Sequence, residues 1–367
     1  MAKGKVEFDK GIDAVRFLAF FLVFLVHFVY KGGNSIEVPA DSYSAHFLIK
    51  DLSKFGSEGV TIFFCLSAYL LSRLLILEQI ETKSISIKRF YIRRALRIWP
   101  LYFLYLFISL IISTVAKSEG IHKVELPWLG TFTYNWYQIF IGESRGLAAH
   151  LWSISIEEQI YLFLPILLLC FKVKRVTSLA ILLVAVGFFS KVIFTFADIQ
   201  IYRNTFAYLD VVGIGILYAI YEIEVKQAFN RWRRYYIFFG GLAALIYVHF
   251  FSNTKNNLFD IFSFGLTGIL TIFLLLIFNQ DSAKSVPLWK QALAYLGRRS
   301  YGMYIYHWLI LTIIVSRKMF YSENQGISLL GVAFSLFLTI LVSIVSYRFY
   351  EKPFLNIRRK FQVVASP

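Results

Sequence analysis

The sequence is poor in charge, in cysteine and in the short motifs that bind nucleotides or metals. Only 16% of its 367 residues are charged, whereas about a quarter are charged in an average soluble domain. The two cysteines, Cys65 and Cys170, lie inside apolar runs, which excludes a disulfide framework and favours a packing role. There is no Walker-type loop, His-Glu-x-x-His pair or Cys-x-x-Cys pair, so we predict neither a bound metal nor a flavin.

Long apolar runs dominate the chain instead. Hydrophobic residues make up 58% of the sequence and aromatic residues 19%, and mean hydropathy is +0.62. The runs are about 20 residues long, which matches the hydrocarbon thickness of a bilayer. We therefore predict an all-α polytopic membrane protein of about ten transmembrane helices, forming a single domain over residues 1–367. The predicted spans are 11–31, 58–77, 93–116, 151–171, 177–197, 206–221, 235–252, 258–279, 300–316 and 326–350. The first run has no small-residue cleavage site, so we expect it to be retained as a span.

The net charge of +16 could indicate nucleic-acid binding, but its distribution favours a membrane. With a cytoplasmic N-terminus, about 27 of the 38 lysines and arginines fall on the cytoplasmic side, as expected of membrane proteins. We therefore predict cytoplasmic N- and C-termini, a short cytoplasmic tail at 351–367, a lipid bilayer and no nucleic acid as partner, and a multi-pass location in the cell inner (plasma) membrane.

Residues 117–150 are the exception to the regular alternation of spans. If this aromatic-rich segment crossed the membrane, every later loop would invert and the charge bias would be lost. We predict an extracytoplasmic, interfacial or re-entrant segment. A lid without chemistry is the alternative.

The first span carries two ionisable residues, Arg16 and His27. Eleven residues at 100° each bring them to nearly the same face, about 16 Å apart along the helix axis. A guanidinium suits phosphate groups, and an imidazole suits general-base work on a hydroxyl. The alternative is an arginine that reaches the interface and a histidine that packs by hydrogen bonding.

A polar stripe begins the span at 151–171. His150, Ser153, Glu157 and Tyr161 follow helical spacing and would line a wet cleft that could hold sugar hydroxyls. Helix capping by Ser153 and a favourable position of Glu157 near the helix N-terminus are the alternative.

Further polar residues lie in or beside other spans. Arg94 and Arg97 are one helical turn apart and could bind one phosphorylated ligand together, although simple anchoring at the cytoplasmic face explains them as well. Ser300, Tyr304 and His307 also follow helical spacing, and we interpret Ser300 and Tyr304 as interhelical hydrogen-bonding residues. Asp210 is a costly acid within a span, with Arg203 nearby as a candidate partner.

Six segments, taken in order, resemble the acyltransferase 3 family of integral membrane O-acyltransferases. They cover nearly the whole chain, and the segment from His150 to Tyr161 is the most specific match. The segments are the Arg16-to-His27 spacing, 63–70 (FFCLSAYL), 93–100 (RRALRIWP), 150–161 (HLWSISIEEQIY), 297–307 (GRRSYGMYIYH) and 350–353 (YEKP). Ala68 departs from the pattern, because the family usually has glycine there. Some members carry an additional extracytoplasmic esterase-like domain, and we do not expect one in this chain.

The resemblance implies an acyl-CoA-dependent O-acyltransferase of the cell envelope. It implies a cytoplasmic acyl-CoA donor, with acetyl-CoA first among the choices, and a carbohydrate acceptor such as a surface or lipid-linked saccharide. Polysaccharide-assembly proteins are further candidate partners. CoA phosphates would lie near Arg16, Arg94 and Arg97. His27 would deprotonate the acceptor hydroxyl, which attacks the thioester. His150, Ser153 and Glu157 would orient the acceptor or the base.

A different class of protein shares several of these features. A secondary transporter or a flippase of lipid-linked saccharides would also have ten spans and charged residues within them. Paired repeats and broken helices are typical of transporters; we find no such repeat, and Pro165 is the one interruption that we note. CoA release that depends on His27 would separate an acyltransferase from a transporter.

Overall fold

Helices occupy all ten of the predicted spans. The computed structural model describes residues 10–32, 55–116, 120–142, 144, 146–251, 258–278, 286–316, 321–322, 326–327 and 329–363. Its helices are α1 (Lys10–Gly32), α2 (Gly56–Thr82), α3 (Ile87–Ala116), α4 (Leu126–Gly130), α5 (Tyr134–Phe140), α6 (Trp152–Phe196), α7 (Leu209–Ala228), α8 (Arg231–Phe251), α9 (Leu258–Phe278), α10 (Leu288–Gly297), α11 (Ser300–Ser316), α12 (Leu329–Ser346) and α13 (Lys352–Arg359). A π-helical turn at Tyr347–Glu351 joins α12 to α13, and Tyr321–Ser322 pairs with Gly326–Ile327 in a two-residue antiparallel ladder.

Most of these helices are long and apolar enough to cross a bilayer. Within the described ranges, eight segments meet that requirement, and Ser300–Val315 is a shorter apolar helix. The remaining predicted span coincides with α8 (Arg231–Phe251). The all-α polytopic membrane fold is therefore confirmed.

Helix α6 contains two of the predicted spans. A straight helix of its 45 residues would be about 67 Å long. However, the ring of Trp152 at its start lies 4.7 Å from that of Tyr202 beyond its end, and Thr205 donates a hydrogen bond to the Gln159 side chain at 2.6 Å. The chain must therefore reverse direction within α6. The reversal falls between Ala149–Phe171 and Arg175–Phe196, which are two antiparallel crossings, as predicted.

The first and last described residues lie at the same end of the bundle. Arg93, near the start of α3, donates a hydrogen bond to the Phe361 carbonyl at 2.8 Å. Asp13 in α1 forms an ion pair with Arg298 at 3.8 Å, just before α11 begins. A Cβ on Gly297 would lie 1.6 Å from the Asp13 carbonyl oxygen, so only glycine permits this approach. Which side of the membrane this end faces stays a prediction.

Close helix contact at Ala68 depends on a glycine from another helix. A Cβ added to Gly215 in α7 would meet the Ala68 Cβ at 2.9 Å and the Cys65 carbonyl at 2.8 Å. The extra methyl group of Ala68, relative to the glycine usual in the family, is accommodated because α7 has no side chain at this point.

The segment around α4 and α5 covers the opposite end of the bundle. These helices have five and seven residues, too few to cross a bilayer. Tyr102 of α3 donates a hydrogen bond to the Leu129 carbonyl at 2.9 Å, and Gln159 of α6 donates to the Phe132 carbonyl at 2.8 Å. Burial raises the pKa of the Tyr134 phenol above its ordinary value and Glu125 adds to the effect, so the phenol remains a donor to that carboxylate at 2.8 Å. The position of this segment relative to the membrane stays a prediction.

A buried ion pair joins the second half of α6 to α7. The ammonium of Lys191, fully buried, donates a hydrogen bond to the Asp210 carboxylate. The other oxygen of Asp210 accepts from the Val211 backbone N–H at 2.8 Å. The expectation that Arg203 would be the partner was wrong, because Arg203 lies in the turn before α7 whereas Lys191 faces Asp210 across the helix interface.

We expect Lys191→Met to destabilise the protein strongly, because it leaves the Asp210 carboxylate buried without a counter-charge. Removing one partner of a buried pair costs about 3–5 kcal/mol, whereas replacing both is often nearly neutral. The midpoint of thermal unfolding in detergent should fall for Lys191→Met and recover in Lys191→Met/Asp210→Leu. Lys123→Met, at an exposed residue, is the control. A single variant as stable as the native protein would contradict this account.

Candidate active site

An arginine-lined cavity of about 210 Å³ opens at the end of the bundle where α1 and α3 begin. Helices α1, α2, α3, α6 and α11 and the C-terminal helix α13 all contribute to its wall. Among the described residues, the wall contains six arginines, namely Arg16, Arg73, Arg93, Arg94, Arg97 and Arg358. So many cations around one small space favour an anionic ligand.

Three of these arginines have acidic partners, so their charges are balanced by the protein. The ion pairs are Arg16–Asp13 at 3.5 Å, Arg93–Glu78 at 3.4 Å and Arg73–Glu222 at 3.4 Å.

Arg94, Arg97 and Arg358 form no ion pair with any residue that the structure describes. The guanidinium carbon of Arg94 lies 5.7 Å from the Tyr161 ring centroid and 5.8 Å from that of Phe90. Its Nε is buried and has no hydrogen-bond partner among the residues that the structure describes. Aromatic faces partly stabilise a cation, but they leave the N–H groups available to an incoming anion.

Glu157 is an acidic residue of the cavity wall. Ser67 of α2 donates a hydrogen bond to its carboxylate at 2.8 Å, and the Tyr161 hydroxyl, one turn further along α6, donates to the same oxygen. These bonds hold Glu157 at the α2–α6 interface.

The inner end of the cavity is formed by Ser153 and Tyr304, which join α6 to α11. Their hydroxyl oxygens are 2.5 Å apart. The Tyr304 hydroxyl also donates to the His150 carbonyl at 2.8 Å, so Ser153 is the donor in the hydroxyl pair. This contact separates the cavity from the histidines beyond it.

Beyond Tyr304, His27 and His307 form a hydrogen-bonded pair. His27 Nδ1 lies 2.7 Å from His307 Nε2, and His307 Nδ1 lies 2.5 Å from the Tyr304 carbonyl oxygen. Because a carbonyl only accepts, His307 Nδ1 must carry the proton. Neutral His307 then accepts at Nε2 from His27 Nδ1–H. The remaining nitrogen of neutral His27, Nε2, is therefore left as an unprotonated acceptor.

His150 completes a cluster of three histidines around Trp308. The His150 ring lies 5.3 Å from the His307 ring and 5.6 Å from the Trp308 ring. It is only 1% exposed, and both ring nitrogens lack a hydrogen-bond partner within the described part of the chain. Buried polar atoms are normally satisfied, so this side chain is suited to a polar group that enters from outside the protein. The part of the chain that the structure describes contains no group of three side chains placed to hold a metal ion.

The predicted site residues fall into two adjoining places. Arg16, Arg94, Arg97, Ser153 and Glu157 all line the cavity. The other two, His27 and His150, lie in the histidine cluster beyond Tyr304.

Arg358, Ser67 and His307 are among the site residues that carried no predicted role. Arg358 was counted only as part of a basic tail, and Ser67 only as part of a motif. His307 follows Tyr304 by three residues, which is the spacing that lets its ring bond the Tyr304 carbonyl one turn back.

These features define a class of protein before any relative is considered. A membrane-embedded helical bundle with an arginine-lined cavity leading to a paired imidazole suits an enzyme or transporter that acts on an anionic ligand.

The chain matches the model of the acyltransferase domain of the acyltransferase 3 family over residues 9–348, and it therefore belongs to this family. A Staphylococcus aureus (strain COL) protein named as a candidate O-acetyltransferase is 27% identical over 372 residues, with 95% of this chain and 58% of that protein covered. The O-acetyltransferase OatA of Staphylococcus aureus (strain NCTC 8325 / PS 47) is 27% identical over 326 residues, covering 83% of this chain and 53% of OatA. The chain thus spans little more than half the length of these relatives. No solved structure matches it.

Proposed function

We propose that the protein is a membrane O-acyltransferase that moves an acetyl group from cytoplasmic acetyl-CoA to a hydroxyl of a surface or lipid-linked saccharide. The observation that carries this proposal is the arrangement of the cavity. Its arginines surround one end, and its other end, at Ser153 and Tyr304, adjoins His27 and His307. The names of the O-acetyltransferase relatives support the choice of acyl group.

The cavity suits acyl-CoA as the donor. CoA carries a pyrophosphate and a ribose phosphate, which guanidinium groups bind through paired, charge-assisted hydrogen bonds. Arg94 and Arg97 form no ion pair with a described acid, so their N–H groups are available for phosphate. The apolar side chains of Phe63 and Leu70, also in the wall, would provide a surface for the uncharged arm of CoA.

His27 would act as the general base. Its Nε2 takes the proton of the acceptor hydroxyl, and the oxygen attacks the thioester carbonyl carbon. The C–S bond then breaks, and the CoA thiolate takes up a proton, so that an ester and CoA are formed. The Tyr304–Ser153 contact would have to open for the thioester to reach His27.

The acceptor would approach from the histidine end. The ring nitrogens of His150, which have no hydrogen-bond partner among the described residues, could hydrogen-bond a sugar hydroxyl. We further propose that the arginine cavity faces the cytoplasm in the cell inner (plasma) membrane, so that the donor binds from inside and the acceptor from outside.

Acyl transfer can be tested by mass spectrometry of alkali-labile esters on cell-surface glycans, together with CoA release by the purified protein in liposomes. Loss of one defined ester in cells without the gene would identify both acyl group and acceptor. Unchanged esters and no acetyl-CoA-dependent release of CoA would overturn the proposal and favour a saccharide transporter or flippase.

We expect Arg94→Ala to raise the KM for acetyl-CoA by about 10-fold or more, because a hydrogen bond between charged groups contributes about 1.5–3 kcal/mol. The KM for the acceptor should change little. Arg89→Ala is the matched control, since Arg89 lies on the same helix but is exposed and outside the cavity wall. An unchanged donor KM in Arg94→Ala would leave Arg94 as a membrane anchor only.

A further inference from the structure

The C-terminal helix α13 closes one side of the arginine cavity. The Tyr350 hydroxyl donates to the Pro100 carbonyl at 3.1 Å, and Arg93 donates to the Phe361 carbonyl at 2.8 Å. These bonds attach both ends of the segment to α3. As a result, Arg358 and Gln362 become part of the cavity wall.

Arg358 differs from the basic residues around it. Lys352, Arg359 and Lys360 are exposed, whereas Arg358 is half-buried and faces the cavity. It forms no ion pair with a described acid, and the acids of the wall have other partners. Glu157 accepts hydrogen bonds from Ser67 and Tyr161. Asp13 pairs with Arg16, and Glu78 pairs with Arg93. A half-buried guanidinium without a counter-ion is suited to an anionic ligand.

The three unpaired arginines come from two separate elements. Arg94 and Arg97 are one turn apart on α3, a spacing that suits two adjacent phosphates. Arg358 projects from α13 on another side of the same space. The negative charges of acyl-CoA also lie at two separate places. One is the pyrophosphate, and the other is the 3′-phosphate on the ribose.

We propose that Arg358 binds the ribose 3′-phosphate of the acyl-CoA donor, while Arg94 and Arg97 bind the pyrophosphate. The inference rests on the proposed function, since it assumes an acyl-CoA donor. It gives α13 the role of a specificity element that distinguishes CoA from donors without the 3′-phosphate. The acyl end of the donor would extend from this charged region towards Ser153 and Tyr304.

The test compares acetyl-CoA with 3′-dephospho-acetyl-CoA, which lacks only that phosphate, as donors for the protein in liposomes. We expect the native protein to prefer acetyl-CoA by about 10- to 100-fold in kcat/KM, the range for one hydrogen bond between charged groups. Arg358→Ala should lower kcat/KM for acetyl-CoA to about that of the dephospho donor and lower the latter much less. Arg358→Lys, which keeps the charge, should retain part of the preference.

Two controls keep the assignment falsifiable. Arg359→Ala, at the exposed neighbouring residue, should prefer acetyl-CoA as strongly as the native protein. Arg94→Ala should weaken the use of both donors alike, because its phosphates are present in both. If Arg94→Ala and not Arg358→Ala removes the preference, the 3′-phosphate binds at α3 and the inference is wrong.

The outcomes also separate this inference from the proposed function. If the native protein uses both donors with equal efficiency, the proposed role of Arg358 is wrong, whereas the proposal of acyl transfer is unaffected. No turnover of either donor overturns acyl-CoA-dependent transfer, and the assignment of Arg358 with it. Inhibition of turnover by adenosine 3′,5′-bisphosphate that is weakened most in Arg358→Ala, less in Arg358→Lys and not in Arg359→Ala would support the assignment by a second route.

Discussion

His27→Ala should reduce acyl transfer by about 10²- to 10⁴-fold, the range that a general base contributes. The reason is chemical, because the variant removes the nitrogen that would accept the hydroxyl proton. The protein should still insert and accumulate, since His27 is only half-buried. The hydrogen bond that the variant loses joins two neutral imidazoles. Acetyl-CoA-dependent CoA release in liposomes measures the effect.

A matched control for this variant is His122→Ala. His122 is exposed and lies in the segment before α4, away from the histidine cluster. The His122→Ala variant should transfer acetyl groups at the rate of the native protein. Near-native transfer by His27→Ala would eliminate the general-base role and leave the histidine pair as a packing contact.

The membrane fold was largely predictable because run length and charge placement are local properties of the sequence. The reversal inside α6 shows this. The chain is helical on both sides of it, and Lys172, Lys174 and Arg175 interrupt the apolar run. That interruption was enough to predict two crossings. The partner of Asp210 was not predictable in the same way, because Lys191 reaches it only through the packing of α6 against α7.

The candidate site was predictable residue by residue but not as an arrangement. Helical spacing placed Arg16 and His27 on one face of α1. It could not show that Tyr304 and Ser153, from α11 and α6, lie between the cavity that Arg16 lines and the cluster that holds His27. Contacts of this kind depend on tertiary packing, on which single-helix periodicity carries no information.

Arg358 illustrates a second limit. In a run of basic residues after the last span, each cation looks alike, and topology alone explains them. Only the attachment of α13 to α3 distinguishes the arginine that faces the cavity from its exposed neighbours.

His307→Ala should lower kcat by about 10- to 100-fold, with little change in the KM for acetyl-CoA. His307 is expected to act through His27, because its Nε2 fixes the proton on His27 Nδ1 and leaves His27 Nε2 as the base. In catalytic triads, loss of the correct histidine tautomer is costly even when the geometry is kept. A merely structural role would instead reduce the amount of folded protein without separating kcat from KM.

Two further variants test whether His307 works through His27. His307→Gln should recover part of the activity, since its side-chain carbonyl can accept a hydrogen bond from His27 Nδ1–H. In a His27→Ala background, His307→Ala should cause no further loss, because residues that act as one unit are strongly non-additive. Independent, multiplicative losses would show that His307 contributes by another route, and the hydrogen-bonded pair would then not be the catalytic base.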